Sequence, residues 1–298
     1  MIIKKNGGLM VRDILISLRP RQWAKNIVFF AALIYSQNFF NPYLVSVTLA
    51  AVLIFCVASS SLYLINDCFD INRDKKHPVK KHRPIAAGRL PVSTSMLIAG
   101  VLMAWSVVMA FVLNRNFFYL LTVYLAIELA YSVSFKKVVI LDILCIASGF
   151  LIRVLAGAAV IDVPISSWLL ICTTFLSLFL ALGKRRSEMV LLDDDAIEHR
   201  QVLSEYSLSF IDQMITIVTA STIFSYVLYT LAPETIQKFH TQNLEYSAIF
   251  VIYGIFRYLY LIYQKKEGGA PERILFSDKP LLINFILFAF VVIAVIYR

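Results

Sequence analysis

Three aspartates recur at spacings of three and four in the stretch Asn66-Asp67-Cys68-Phe69-Asp70-Ile71-Asn72-Arg73-Asp74. On a helix these spacings put Asp67, Asp70 and Asp74 on one face, where three carboxylates repel one another unless a cation lies among them. A hard divalent ion with oxygen ligands is the expected partner. Mg2+ takes one or two carboxylates and completes its shell with water and phosphate oxygens. The plainer alternative is that the acids solvate a helix end or pair with Arg73, Lys75 and Lys76.

The residues that follow weigh against that alternative. In His77-Pro78-Val79-Lys80-Lys81-His82-Arg83-Pro84-Ile85-Ala86-Ala87-Gly88, two prolines stiffen the loop, so Lys80 and Arg83 become fixed cations beside the carboxylates. Acids for a metal next to bases for phosphate oxygens describe a pyrophosphate site. Lys76 and Lys81 read as ordinary loop charge. A second constellation, Gly183-Lys184-Arg185-Arg186-Ser187-Glu188, offers either a membrane-boundary stop or an anion cradle, with Glu188 on the face of Lys184. Asp193, Asp194 and Asp195 read as a solvated loop, leading to a helix that bears Glu198. A third group comprises Tyr131, Ser132, Lys136 and Asp142, of which Tyr131 and Lys136 could bond a phosphate or a ribose hydroxyl. Glu128, Arg153 and Arg257 fall inside apolar runs, where a charge needs a partner or water. Structural pairing is expected for Glu128 and Arg257, and Arg153 is left open. The four histidines lack metal-site spacing, and no CxxC pair or disulfide framework is present.

What must position these residues is a membrane bundle. The 298 residues are 59% hydrophobic and only 16% charged, with a mean hydropathy of +0.76, more apolar surface than a water-facing globule can hide. The runs do not alternate as barrel strands would. Stretches long enough to cross roughly 30 Å of hydrocarbon lie near 24–40, 43–65, 95–113, 116–135, 139–161, 165–183, 211–232, 246–263 and 280–297, the first being the weakest. Asn41-Pro42, Asn114, Asp162-Val163-Pro164, Pro233 and Gly268-Gly269 punctuate them. Lys and Arg crowd alternate connections, leaving only Arg115, Lys238 and Arg298 on the other side, so the N-terminus and both long loops are expected in the cytoplasm. The net charge of +9 therefore sits beside the membrane, where it suits anionic headgroups and phosphorylated substrates rather than nucleic acid. Val11, Ile14, Leu15 and Leu18 mark a short helix on the membrane surface within residues 1–26, ahead of a transmembrane domain over 27–298.

The motif Asn66-Asp67-x-x-Asp70-x-x-x-Asp74 after a second span, in a chain of about nine helices, resembles the UbiA superfamily of membrane prenyltransferases. The resemblance covers nearly the whole chain and implies an all-α polytopic bundle, with Mg2+ and a pyrophosphate held over a lipid-accessible cavity. Within the superfamily the sequence is most similar to the decaprenyl-phosphate phosphoribosyltransferases. The supporting stretches are Arg19-Pro20-Arg21-Gln22-Trp23-Ala24-Lys25-Asn26, Asp74 through Gly88, Ser148 through Arg153 and Leu182 through Glu188. Most superfamily members carry a second Asp-rich motif after span six, whereas this chain has Lys184, Arg185 and the single carboxylate Glu188.

The resemblance implies Mg2+-dependent transfer from phosphoribosyl pyrophosphate to a polyprenyl phosphate. It places catalysis and metal binding on Asp67, Asp70 and Asp74, and substrate binding on Lys25, Asn66, Lys80, Arg83, Tyr131, Lys136, Arg153, Lys184, Arg185 and Glu188. Extra substrate phosphates call for extra fixed cations, which accounts for the altered second motif. The setting would be the inner (plasma) membrane with the site facing the cytoplasm, and self-association is left open. The altered second motif argues against the alternative of prenyl transfer to an aromatic acceptor, and the nearly chargeless external loops argue against transport.

Overall fold

The structure, a computed structural model, describes residues 3–192, 205–265 and 271–298. Asp193, Asp194, Asp195, Glu198 and the Gly268-Gly269 turn lie outside the described residues. No strand occurs among those described, and the chain runs through α1 (Ile3–Leu18), a 3-10 helix (Pro20–Val28), α2 (Phe29–Tyr35), α3 (Pro42–Phe69), α4 (Ile71–Lys76), α5 (Val92–Leu113), α6 (Arg115–Val133), α7 (Leu141–Val160) and α8 (Ser167–Leu192). It continues through α9 (Leu208–Leu231), α10 (Pro233–Phe239), α11 (Ala248–Tyr263), α12 (Pro271–Ser277) and α13 (Lys279–Ile296). The turn residues act as caps. Asn41 Oδ1 accepts from Tyr43 N and Leu44 N at 3.1 and 3.3 Å, Asn114 Oδ1 from Phe117 N at 3.0 Å, and Ser207 Oγ from Phe210 N at 3.1 Å.

Among the described residues eight helices are long and apolar enough to cross a membrane, and they fall on eight of the nine expected spans. The remaining one, near 24–40, is not a long α-helix, because the chain there is the 3-10 segment followed by the seven residues of α2. It nevertheless runs antiparallel along most of α3. Arg19 bonds Asp67, Trp23 Nε1 donates to Ser60 Oγ at 3.0 Å, Asn26 Nδ2 meets Cys56 Sγ at 3.0 Å, and Phe29 packs edge-on against Phe55. A 3-10 helix rises about 2.0 Å per residue against 1.5 Å for an α-helix, so the two pieces together reach about 28 Å, close to the hydrocarbon thickness. The wider rise lets fewer residues cover the distance.

The windows of α7 and α3 are 61% and 50% buried against 17% for α5 and α13, which makes the first pair central and the second pair lipid-facing. α7 joins two apolar clusters. One gathers Phe29, Phe55, Phe117 and Leu121 from α2, α3 and α6, and the other gathers Ile143, Phe179, Leu182, Ile211 and Ile262 from α7, α8, α9 and α11. Gly157 on α7 is required by close approach, since a Cβ there would lie 2.6 Å from the carbonyl oxygen of Phe29. The ring closes where Tyr297 Oη meets Phe39 N at 2.8 Å and Gln37 Nε2 donates to Ile296 O at 3.0 Å. On α1, Ile14 and Leu18 pack on Leu64, Ile85 and Leu90, while Val11 and Leu15 stay exposed. The apolar stripe expected to face lipid is thus divided between protein and surroundings.

Candidate active site

α3 ends at Phe69, and Asp70 (φ −96°, ψ 8°) joins it to α4. Hydrogen bonds from Asp70 N to Asn66 O and from Asp74 N to Asp70 O, at 2.9 and 2.8 Å, keep the direction across the break. Asp67 and Asp74 are buried, and a single nitrogen bridges them: Arg83 Nη1 lies 2.9 Å from Asp67 Oδ1 and 2.7 Å from Asp74 Oδ2. Arg19 closes on the same oxygen of Asp67. Asp70 takes Lys136 Nζ at 2.7 Å, with Arg73 at 3.9 Å. Burial pushes the Asp74 carboxyl above the usual carboxylate range against the pull of Arg83.

The spacing predicts three carboxylates around one ion; here Asp67 and Asp74 converge on Arg83 while Asp70 turns to Lys136. Among the described residues no three acidic, histidine or cysteine side chains converge as a metal cage. Asp70, at the helix break, is neutralised by Lys136, and the repulsion between Asp67 and Asp74 is relieved by the shared Arg83. The donor chemistry still suits a hard ion. Two carboxylates already share one positive charge, and Asn66 Oδ1 is buried with no hydrogen-bond partner among the described residues. Mg2+ needs no more than one or two carboxylates.

The loop after α4 is shaped to present Arg83. His77 Nδ1 accepts from Val79 N and Lys80 N at 3.1 and 3.3 Å, and Ile85, Ala86 and Leu90 are buried beneath it. Gly88 turns with φ +73°, a conformation that favours glycine. Lys80 is half-buried and bears electrostatically on Asp74.

The second constellation separates two neighbours. Arg185 is fully buried and spent on protein partners: Nε to Asp142 at 2.6 Å, Nη1 to Glu188 at 2.6 Å and Nη2 to Tyr131 Oη at 3.2 Å. This contradicts its expected role as a phosphate ligand. Enclosed between α6, α7 and its own helix, it positions Glu188 and Tyr131. Lys184 is half-buried and lies in the same electrostatic neighbourhood as Lys25, Glu128 and Glu188. Arg153 is likewise corrected to a structural tie, with Nε to Asn26 Oδ1 at 2.8 Å, Nη1 to Gly149 O at 2.6 Å and Nη2 to Tyr124 Oη at 2.9 Å. Asp142, nearly on its helical face, pairs with Arg185 instead. Arg257 pairs with Asp278 at 2.9 Å, and Arg186 with Asp212 at 2.7 Å.

The structure therefore gathers Asn66, Asp67, Asp70, Asp74, Arg83 and Lys136 at one end, with Lys80 beside them. It gathers Lys25, Lys184, Glu188 and Tyr131 in a second group. Sequence reasoning missed Arg19 and Tyr206. Arg19 sits at φ +52° just before Pro20, in a basic stretch that carried the family resemblance without marking it as a partner of the acids. Tyr206 Oη accepts from Ile140 N at 2.6 Å and donates to Asp142 at 2.9 Å. It holds a turn in which Ile140 takes φ +68°, a strained value for a β-branched residue.

Residues 27–286 match the UbiA prenyltransferase family. The chain is 34% identical over 298 residues to the decaprenyl-phosphate phosphoribosyltransferase of Mycolicibacterium smegmatis, covering 97% of this chain and 93% of that protein. With the protein of the same name from Corynebacterium glutamicum it shares 30% identity over 285 residues, covering 94% and 86%. Its fold is similar to a UbiA homolog from Archaeoglobus fulgidus bound to GPP and Mg2+, with a TM-score of 0.71 over 96% of this chain and 100% of that one, at 20% identity.

Proposed function

This chain belongs to the UbiA prenyltransferase family, a family of integral membrane transferases. From that premise we propose that it moves the 5-phosphoribosyl group of phosphoribosyl pyrophosphate onto a polyprenyl phosphate and releases pyrophosphate. The observation that carries this reading is the make-up of the second group. Lys184 stands where most of the superfamily has a second acidic motif, and Lys25 lies in its electrostatic neighbourhood, which supports two places for phosphate in the site. The names of the relatives from Mycolicibacterium and Corynebacterium agree with it.

Asn66, Asp67, Asp70 and Asp74 would hold Mg2+, with Arg83 moving from the acids to the incoming pyrophosphate. When bound, Mg2+ supplies positive charge for the departing pyrophosphate. Lys80, Arg83 and Lys136 neutralise the charge that develops on the leaving oxygen. Lys25 and Lys184 take the remaining phosphate, either the donor's 5-phosphate or that of the lipid. The bond from the anomeric carbon to the pyrophosphate oxygen breaks, with its electron pair leaving on oxygen, and a new bond forms to an oxygen of the lipid phosphate. That nucleophile is already anionic at neutral pH, so no general base is required. The Lys and Arg asymmetry supports a site on the cytoplasmic face of the plasma membrane.

The test is incubation of the purified protein with labelled phosphoribosyl pyrophosphate, Mg2+ and a polyprenyl phosphate. A labelled lipid is expected, lost in Asp67→Asn and Lys184→Ala. Transfer of a prenyl group to an aromatic acceptor, with no product from phosphoribosyl pyrophosphate, would overturn the assignment.

A further inference from the structure

Glu128 has no role in the scheme above, yet its surroundings are unusual for a carboxylate at its depth. It lies on α6 five residues before the helix ends, inside a span, where an ionised acid is sustained only by a partner or a water-filled space. Arg153, Lys25 and Lys184 all bear on it electrostatically. Arg153, the nearest of the three, directs one N–H from each of its nitrogens to Asn26, Gly149 O and Tyr124. Its side chain is half-buried. Gly149 makes the room. A Cβ at that position would lie 3.1 Å from Glu128 Oε1 and 3.2 Å from Arg153 Nη1.

An ionised carboxylate only accepts hydrogen bonds. Set beside Lys25 and Lys184, it would repel a phosphate and attract a neutral group that carries hydroxyls. A prenyl pyrophosphate has no hydroxyls on its transferred group, whereas phosphoribosyl pyrophosphate has a vicinal pair on the ring between its two phosphate ends. We infer that Glu128 accepts hydrogen bonds from the ribose 2- and 3-hydroxyls and so selects a ribosyl donor. This rests on the donor assignment made above and adds a residue that determines specificity.

The experiment compares phosphoribosyl pyrophosphate with its 2-deoxy and 3-deoxy analogues in the unsubstituted protein, Glu128→Gln and Glu128→Ala. A hydrogen bond to a charged group corresponds to roughly 10- to 100-fold in kcat/KM. The unsubstituted protein should prefer the full donor over at least one analogue by about that factor. In Glu128→Ala the preference should largely disappear, because the full donor loses both hydrogen bonds and each analogue only the one it retains. Binding of inorganic pyrophosphate, measured by calorimetry on the same preparations, should be unchanged or tighter, which separates loss of hydroxyl recognition from a damaged site. Equal losses for donor and analogues, or weakened pyrophosphate binding, would overturn the role of Glu128. Absence of any transfer by the unsubstituted protein would overturn the donor assignment itself. If Glu128→Ala does not fold, Glu128→Gln keeps the shape, removes the charge and carries the same comparison.

Discussion

Replacing Arg83 with glutamine tests whether a cation is required between Asp67 and Asp74. Arg83 Nη1 is 2.9 Å from one acid and 2.7 Å from the other, and the acid side chains are 2% and 5% exposed against 25% for the arginine. Breaking a fully buried pair costs roughly 3–5 kcal/mol and an exposed one roughly 0–1 kcal/mol. The partly exposed arginine, and the Arg19 contact left on Asp67, bring the expected loss to about 2 kcal/mol. For a chain of this size that is a drop of about 3 °C in thermal midpoint. The assay is unfolding in detergent followed by tryptophan fluorescence, with a chelator and then with millimolar Mg2+. The Arg83→Gln protein should be the less stable with chelator and should recover more than the parent when Mg2+ is added, since the ion enters a place the guanidinium has vacated. Arg89→Gln is the control, because its pair with Asp13 at 3.1 Å involves an arginine 47% exposed and should cost under about 1 kcal/mol. An Arg83→Gln protein that melts like the parent, or equal Mg2+ shifts in both, would refute the reasoning.

Gly157→Ala should lower the thermal midpoint, because overpacking costs about 1–3 kcal/mol and the obstacle is the Phe29 backbone, 2.6 Å from the new Cβ. Gly183→Ala meets the end of Ile262 at 2.7 Å and the Tyr258 ring at 3.2 Å, and the helix-propensity gain of about 1 kcal/mol should keep it near neutral; the reverse order of midpoints would contradict the packing described. Tyr206→Phe should cost about 1–3 kcal/mol by stripping Ile140 N–H of its acceptor and Asp142 of a donor, and Ile140→Gly in that background should recover part of the loss, read as thermal midpoints. Asp278 is held below the usual carboxylate range by its hydrogen bonds from Arg257 and by Leu281 N–H, so its contribution is present above an ordinary aspartate pKa of about 3.9 and disappears as pH falls through the depressed value. Asn at this position still caps α13, so the midpoint gap between parent and Asp278→Asn should be full at neutral pH and close in acid; a gap constant across the series would rule out the ion pair as its source.

Long apolar runs made eight crossings readable within a few residues, because length and hydropathy are local properties. The first crossing was harder to read, since its 3-10 winding covers the distance with fewer residues than an α-helical ruler allows. The acid motif and the basic loop could be found by spacing, and Lys136 by its basic position at a helix end. Arg19 could not, because 48 residues separate it from Asp67 and no periodicity connects them. Lys184 and Arg185 show the limit of spacing arguments. Neighbours on a helix point about 100° apart, and only the packing of α6, α7 and α8 decides that Arg185 is enclosed with Asp142 while Lys184 is not. Arg153 and Asn26 meet across 127 residues, so an arginine that could have served a ligand instead ties α7 to the 3-10 segment.

The lengthwise pairing of the 3-10 segment and α2 with α3 bears on how the chain is assembled during synthesis. The segment's few internal apolar residues and its Lys25 make it a poor candidate for independent release into lipid, whereas α3 is long and strongly apolar. Arg19 is translated well before Asp67, so it waits for its counter-charge until the later helix has emerged. The two would then enter the bilayer together as a hairpin whose open end carries compensated charges. A substitution that weakens α3 would consequently strand the N-terminal crossing as well, and would appear first as poor insertion and rapid turnover rather than as an inactive mature enzyme.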